Sequence, residues 1–442
     1  MSDRKLFGTD GIRGKVGGLV INPDMMLKLG YAFGLTLHEQ SVVKPCVLMG
    51  RDTRISGELL EASLQAGLLA AGVDVVLLGI LPTPAIAHFT KVFDATAGIV
   101  ISASHNPYQD NGVKIIAKNG LKLSDQHEKN IEEKMQSITS IAQHDVLGTV
   151  TTISDAEDQY VEHCVRLFED LSLANFQCVV DCANGATFHI AEKIFAALNA
   201  KMTVIHANPD GFNINEKCGA THLQSLKEHV LASKAEFGIA FDGDGDRLMM
   251  VDHLGEVVDG DEILCMLAMD ETKKYDAVVG TLMSNLGLEQ AIKSHGMEFV
   301  RVAVGDRYVL EKLLEKNWVL GGEGSGHIVN LAYAKTGDGV LTALQVLKIM
   351  QHQKKSLHEL KQVMHKRPQI LINVPVNDVS EFASMTSLFE AADLYQKQLG
   401  DNGRILLRPS GTESCIRVMV EANDEGETRA IAEALAEIVR LH

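Results

Sequence analysis

No stretch of this sequence approaches the roughly 18 uninterrupted apolar residues that a membrane-crossing helix needs. The opening residues, Met-Ser-Asp-Arg-Lys, lead into a Gly-rich motif without an apolar signal segment, so a cytoplasmic protein is expected. Cysteine is sparse and unpatterned. The seven residues (Cys46, Cys164, Cys178, Cys182, Cys218, Cys265, Cys415) are odd in number and form neither a CxxC pair nor a zinc spacing, which predicts reduced, mostly buried thiols. Basic charge is also short: 41 Lys and Arg face 58 Asp and Glu, and the formal charge of −17 would repel nucleic acid and anionic membranes over most of the exterior. Neither partner is expected, and a phosphate-handling site must be a local basic pocket. Low-complexity tracts are missing too, and 46% hydrophobic with 22% charged residues describe a globular chain rather than a disordered or fibrous one.

What is present is length and rhythm. At 442 residues the chain is too long for one core and should hold about three or four domains. From Cys46 to Ser102 short apolar runs alternate with helical stretches, a strand-helix-strand-helix-strand pattern that implies a parallel sheet. The rhythm restarts at Phe176–Asp181 and again near Gly260, and the runs Val47–Met49, Cys178–Val180 and Val278–Val279 each precede a polar loop, which hints at a structural repeat. From Pro368 it changes to alternating strands with helices between them, predicting a smaller α+β domain. The expected fold is three similar mixed α/β domains (1–152, 153–254, 255–367) and a C-terminal α+β domain (368–442).

Four loops carry candidate chemistry. The first, Ser102 to Lys114, follows a buried-looking strand, where open α/β sheets place their ligands. Ser104, His105 and Lys114 could supply a nucleophile, a proton acceptor and a cation within one loop, while Asn106-Pro107 and Asn111-Gly112 equally suit a plain turn. The second, Asp242-Gly-Asp-Gly-Asp-Arg247, offers alternating carboxylates that repel one another unless a cation neutralises them, and oxygen-only ligands favour Mg²⁺. A calcium-sensor loop is excluded, because Arg247 and His253 stand where it needs Gly and a bidentate Glu. A solvated acidic turn is the remaining alternative.

The third loop, Arg408 to Arg417, presents two guanidinium groups, the Ser410 and Thr412 hydroxyls and Gly411, a set that can cradle a phosphate or form a simple hairpin turn. The fourth, Gly321 to His327, would present Glu323, Ser325 and His327 outward, Glu and Ser for sugar hydroxyls and His for protons, unless it is a flexible linker.

With Gly8-Thr-Asp-Gly-Ile-Arg13-Gly, Thr281-Leu-Met-Ser-Asn and Gly305-Asp-Arg-Tyr-Val309, these motifs resemble those of the α-D-phosphohexomutase family nearly end to end. The resemblance implies four domains around a central cleft, each donating one loop. It further implies interconversion of glucosamine 6-phosphate and glucosamine 1-phosphate through a phosphoserine at Ser104 and a 1,6-bisphosphate, supplying UDP-N-acetylglucosamine and cell-wall precursors. In that scheme one Mg²⁺ is held by Ser104, Asp242, Asp244 and Asp246, while Arg13, Lys114 and Arg247 neutralise charge and His105 and His327 handle protons. Glu323 and Ser325 would contact the sugar, and Arg408, Ser410, Gly411, Thr412 and Arg417 the phosphate that is not reacting. A phosphosugar is the expected partner, and a homodimer is compatible with the sequence. Two departures from the family pattern, Gly324 and Ser414, bear on sugar preference and loop rigidity. The rival readings are the same chemistry on glucose or mannose phosphates, a metal-dependent sugar phosphatase, and a non-catalytic phosphosugar sensor.

Overall fold

The computed structural model describes residues 6–8, 10–40, 44–141, 145–410 and 414–442. They form four sheets in series along the chain. In the first, Cys46–Arg51, Asp74–Ile80, Ala97–Ile101 and Val150–Thr152 run parallel, while Asp110–Ala117 is antiparallel to both Ala97–Ile101 and Ile12–Lys15. In the second, Gln177–Asp181, Lys201–Ile205 and Phe237–Phe241 are parallel, and Leu248–Asp252 folds back on Phe237–Phe241. In the third, Glu298–Val302, Ala277–Thr281 and Leu320–Gly322 are parallel, and Ile328–Asn330 folds back on the last. The fourth sheet is antiparallel throughout, ordered Gln369–Pro375, Cys415–Glu421, Arg404–Pro409.

The three strands read between Cys46 and Ser102 are parallel as expected, and the sheet as a whole is mixed because a later strand joins it. The strand that breaks the pattern, Asp110–Ala117, follows the turn residues around Asn106-Pro107, which fold the chain back on its predecessor instead of sending it across a helix. The suspected repeat has a structural basis. Cys46–Arg51, Gln177–Asp181 and Ala277–Thr281 hold equivalent places, each parallel to a strand that opens an antiparallel hairpin. The three candidate loops of these units lie at the tips of their hairpins, residues 102–109, 242–247 and 323–327, and the fourth belongs to the connection between the antiparallel strands Arg404–Pro409 and Cys415–Glu421.

One apolar core runs through the first three units, joining Leu48 and Phe89 to Tyr160, Phe241, Leu264 and Leu344. Its centre includes the helix Gly339–Gln353, buried along most of its length and therefore without a polar stripe to mark it as amphipathic. The fourth unit has its own core, built on Leu388, Val418, Val420 and Leu435. It is tied to the third by Glu421, a fully buried residue whose Oε1 accepts the Leu286 N–H at 3.0 Å, and by Arg404, which donates to Leu282 O at 2.7 Å. Six of the cysteines are buried, Cys46 is half-buried, and all are free thiols. No helix among the described residues is long and apolar enough to cross a membrane.

Candidate active site

Ser104 stands just past the strand Ala97–Ile101, fully buried and in the left-handed region at φ 51°. Such a backbone costs a residue with a Cβ on the order of 1–3 kcal/mol and survives only where neighbours impose it. Here its N–H donates to Ser102 Oγ at 2.9 Å, and Ser102 Oγ donates to Asp52 Oδ2 at 2.5 Å, beside the buried pair of Asp52 and Arg54. The result aims the Ser104 hydroxyl out of its own unit. Its Oγ donates to Asp242 Oδ2 at 2.6 Å, across to the second hairpin, and lies 3.3 Å from His105 Nδ1. Burial, then the nearby Arg247 and Arg13, lowers the His105 pKa to about 4, which favours the neutral ring.

Asp242, Asp244 and Asp246 are buried, each with an oxygen within 4.8 Å of the others. Carboxylates at that separation repel on the order of 3 kcal/mol per pair at an effective dielectric near 20. Burial and then Asp246 and Asp244 push the Asp242 carboxyl well above its ordinary range. Asp246 is held well below it, because Lys114, His327 and Arg247 outweigh its burial. Asp244 Oδ1 and Asp246 Oδ1 are buried oxygens with no hydrogen-bond donor. Two buried carboxylate oxygens without a hydrogen-bond donor, beside a third carboxylate and a serine hydroxyl, suit a hard divalent cation such as Mg²⁺, so the residues present fit the metal.

Lys114 lies on the strand after the Ser104 loop and is buried, with Nζ 2.8 Å from Asp244 Oδ2 and 3.2 Å from both Asp246 Oδ2 and Asp10 Oδ2. Burial opposes its charge, but Asp10, Asp244 and Asp246 outweigh that and hold the ammonium well above the usual lysine range. Arg13 pairs with the same Asp10. Arg247 reaches toward Asp246 Oδ1 at 3.8 Å and Asp242 Oδ2 at 4.0 Å, and its Nε is buried without a hydrogen-bond acceptor. The pocket is thus an alternation of paired acids and bases rather than a purely basic patch.

His327 corrects the expectation that its loop points three side chains outward. It is the residue that re-enters the hairpin as the strand Ile328–Asn330 begins, so its ring turns inward and is only 4% exposed. Nδ1 faces Asp246 Oδ1 at 3.5 Å and Nε2 faces Asp306 Oδ2 at 3.4 Å. Burial disfavours the imidazolium, but these two carboxylates raise its pKa to about 9; the Gly337 N–H, 3.1 Å from Nε2, works the other way by favouring a neutral ring there. Ser325 is exposed and Glu323 half-buried, its Oε1 accepting the Gly305 N–H at 2.9 Å. The departure at Gly324 has a local reason: a Cβ there would come within 3.0 Å of Asp261 Oδ2, a buried carboxyl.

In the fourth hairpin Arg408 and Arg417 are register partners on adjacent strands, and Arg417 Nη2 donates to Ser410 Oγ at 3.3 Å. Arg408 Nε is buried without an acceptor, and burial followed by Arg417 lowers its pKa. Two guanidinium groups forced together in this way favour an anion between them. Gly411 and Thr412 lie outside the described residues.

The structure thus gathers Ser104, His105, Lys114, Arg13, Asp242, Asp244, Asp246, Arg247 and His327 into one polar cluster. It adds residues that the loop motifs did not single out. Asp10 links Arg13, Lys114 and Lys122; Lys122 Nζ reaches Asp306 Oδ2 at 2.5 Å, and Thr83 Oγ1 donates to Asp244 Oδ2 at 2.6 Å. Asp10 and Asp306 stood inside motifs already noted, whereas Thr83 and Lys122 carry no local signal.

Comparison with known proteins covers the same ground. Models of the phosphoglucomutase/phosphomannomutase family match along the chain: alpha/beta/alpha domain I over residues 4–142, domain II over 158–255, domain III over 259–367 and the C-terminal domain over 371–438. The chain is 53% identical over 442 residues to a phosphoglucosamine mutase of Coxiella burnetii, covering 99% of both. It is 50% identical over 443 residues to one of Pseudomonas entomophila, covering 99% of this chain and 98% of that one. Among solved structures, a phosphoglucomutase/phosphomannomutase family protein of Burkholderia thailandensis shares the fold at a TM-score of 0.83 and 24% identity, over 100% of this chain and 98% of that one. Aspergillus fumigatus N-acetylphosphoglucosamine mutase, in complex with GlcNAc-6P and magnesium, shares it at 0.65 and 18%, over 98% and 95%.

Proposed function

The chain belongs to the phosphoglucomutase/phosphomannomutase family, and from that premise we propose that it interconverts glucosamine 6-phosphate and glucosamine 1-phosphate with Ser104 as the phosphoryl carrier. One observation carries the reading: a buried serine held at φ 51° donates its hydroxyl at 2.6 Å to one of three clustered aspartates, two of which keep a buried oxygen without a hydrogen-bond donor. Full-length relatives named phosphoglucosamine mutase support the sugar, and the magnesium complex of the Aspergillus protein supports Mg²⁺ as the ion for Asp242, Asp244, Asp246 and Ser104. When bound, the ion would neutralise phosphoryl oxygens and so lower the cost of bringing a second oxygen to phosphorus.

Ser104, carrying a phosphate, gives it to the free hydroxyl of the bound sugar phosphate. The Oγ–P bond breaks and a P–O bond forms at the sugar oxygen, while the hydroxyl proton passes to a base and the departing Ser104 oxygen takes up a proton, leaving a hexosamine 1,6-bisphosphate and a free serine hydroxyl. After the bisphosphate turns over in the cleft, Ser104 takes back its other phosphate, and the product leaves with one. His105, neutral and 3.3 Å from Oγ, is placed to exchange the proton at the serine. His327, between Asp246 and Asp306, serves the sugar side, where Glu323 and Ser325 hold hydroxyls. Arg13, Lys114 and Arg247 fix the charge around the transferred group, and Arg408, Ser410, Gly411, Thr412 and Arg417 grip the idle phosphate in either orientation. We place the protein in the cytoplasm, consistent with seven free thiols, where its product would supply amino-sugar nucleotide synthesis.

Turnover of glucosamine, glucose and mannose phosphates, with free phosphate followed in the same reaction, tests this. Fastest conversion of the glucosamine phosphates without phosphate release is expected, and Ser104→Ala should be folded and inactive. Phosphate released in step with substrate loss would make the enzyme a phosphatase, and a preference for glucose or mannose phosphate would reassign the sugar.

A further inference from the structure

The strained backbone at Ser104 is held through two carbonyl oxygens of its loop, those of Ser104 and Asn106. Arg54, from the same unit, donates Nη2 to them at 3.1 and 2.5 Å. Asn215, from the second unit, donates Nδ2 to the same two oxygens at 2.9 and 3.0 Å. The asparagine is only 7% exposed and is itself fixed from behind, left-handed at φ 58° with its N–H donating to Ala183 O at 2.9 Å. The chain just before it docks on the first unit, where Ile55 N–H donates to Gly211 O at 3.0 Å. Gly243 of the aspartate loop completes the junction: a Cβ there would lie 2.6 Å from Ser104 O and 2.8 Å from Asn215 Nδ2. Asn215 therefore touches the serine loop on one side and abuts the aspartate loop on the other.

From this geometry we infer that Asn215 is a positioning residue, one that sets the separation of Ser104 Oγ from the Asp242, Asp244 and Asp246 carboxylates by binding the serine loop to the second unit. The inference rests on the phosphoryl transfer proposed at Ser104. A carboxamide suits the place because one NH₂ group spans two carbonyls and adds no charge beside the aspartates, while Arg54 supplies the charged half of the clamp.

Asn215→Asp and Asn215→Gly test it. Both replacements tolerate a left-handed backbone; Asp turns the donor into an acceptor facing two carbonyls, and Gly removes it. The expected result is a kcat lower by about 10- to 100-fold with KM for the sugar phosphate within about threefold, the signature of a small misplacement at the reacting atoms. Circular-dichroism melting should show both variants folded. Wild-type kcat in the folded Asp variant, a rise confined to KM, or failure of both variants to fold would each overturn the inference, the last by making Asn215 structural. Ser104→Ala assayed in parallel separates the two ideas. If it stays active, the carrier reading fails; if it is dead while the Asn215 variants turn over normally, only the positioning role fails.

Discussion

At the residue scale, side chains a few ångströms apart are driven to opposite protonation states by what faces them. Asp246 is held ionised by Lys114, His327 and Arg247, whereas Asp242 is pushed toward its neutral form by burial and by the other two aspartates. A bound cation would reverse the second tendency, which is why the serine's hydrogen bond to Asp242 marks a place where charge is expected. Away from the site, His88 offers a simpler test of the same physics. It stacks on His163 at a centroid distance of 3.8 Å, and burial, then the His163 and Lys91 charges, lowers its pKa to about 4 from an ordinary 6.5. Between those values the unfolded chain binds a proton that the folded chain refuses, so stability is present above pH 6.5 and falls as pH drops toward 4. His88→Phe keeps a ring on the stack and removes the titration. Its melting temperature should fall less than that of the wild type between about pH 7 and pH 5; an equal fall in both proteins would remove His88 from the account.

At the scale of elements, the recurring antiparallel hairpin is what brings the chemistry together. Each α/β unit ends its parallel run with a strand that folds back, and each fold-back tip carries one motif. The motifs were legible because side chains with a chemical task break the local rules of turns: a serine beside a histidine, carboxylates at alternate positions, arginines flanking small residues. The strands Cys46–Arg51, Gln177–Asp181 and Ala277–Thr281 were legible as short apolar runs. The fold-back strands were not, since nothing local in Leu248–Asp252 or Ile328–Asn330 says whether the chain returns antiparallel or crosses over to a parallel strand. Nor could local sequence reveal that Asn215 meets a loop more than a hundred residues earlier. Register between the tips depends on close backbone approach, so Gly243→Ala should be costly. The added methyl must displace Ser104 O, Asn215 or Ile214, each within 2.8 Å of it. We expect overpacking to cost about 1–3 kcal/mol in stability and turnover to fall by about 10- to 100-fold; unchanged kcat would show that the two loops need no fixed separation.

At the scale of the whole molecule, the distribution of cores separates two mechanical parts. One apolar cluster runs through the first three units, beside a second cluster that belongs to the first unit alone, and it ties the serine, aspartate and histidine loops into one frame. The C-terminal unit packs around its own core and is tied to the third unit through Glu421 and Arg404, an arrangement suited to holding a phosphate while the rest of the sugar is turned. That division gives the central claim its physical sense: a fixed carrier at Ser104 and a separate grip at Arg408 and Arg417. The most direct test is to load the chain with labelled phosphate from a hexosamine 1,6-bisphosphate, remove excess reagent, and chase with unlabelled glucosamine 6-phosphate while following the label. The account predicts that label leaves Ser104 at the rate of turnover and appears in sugar phosphates, with none as free phosphate. Label that stays on the protein while glucosamine 1-phosphate accumulates, or that emerges as inorganic phosphate, would contradict it.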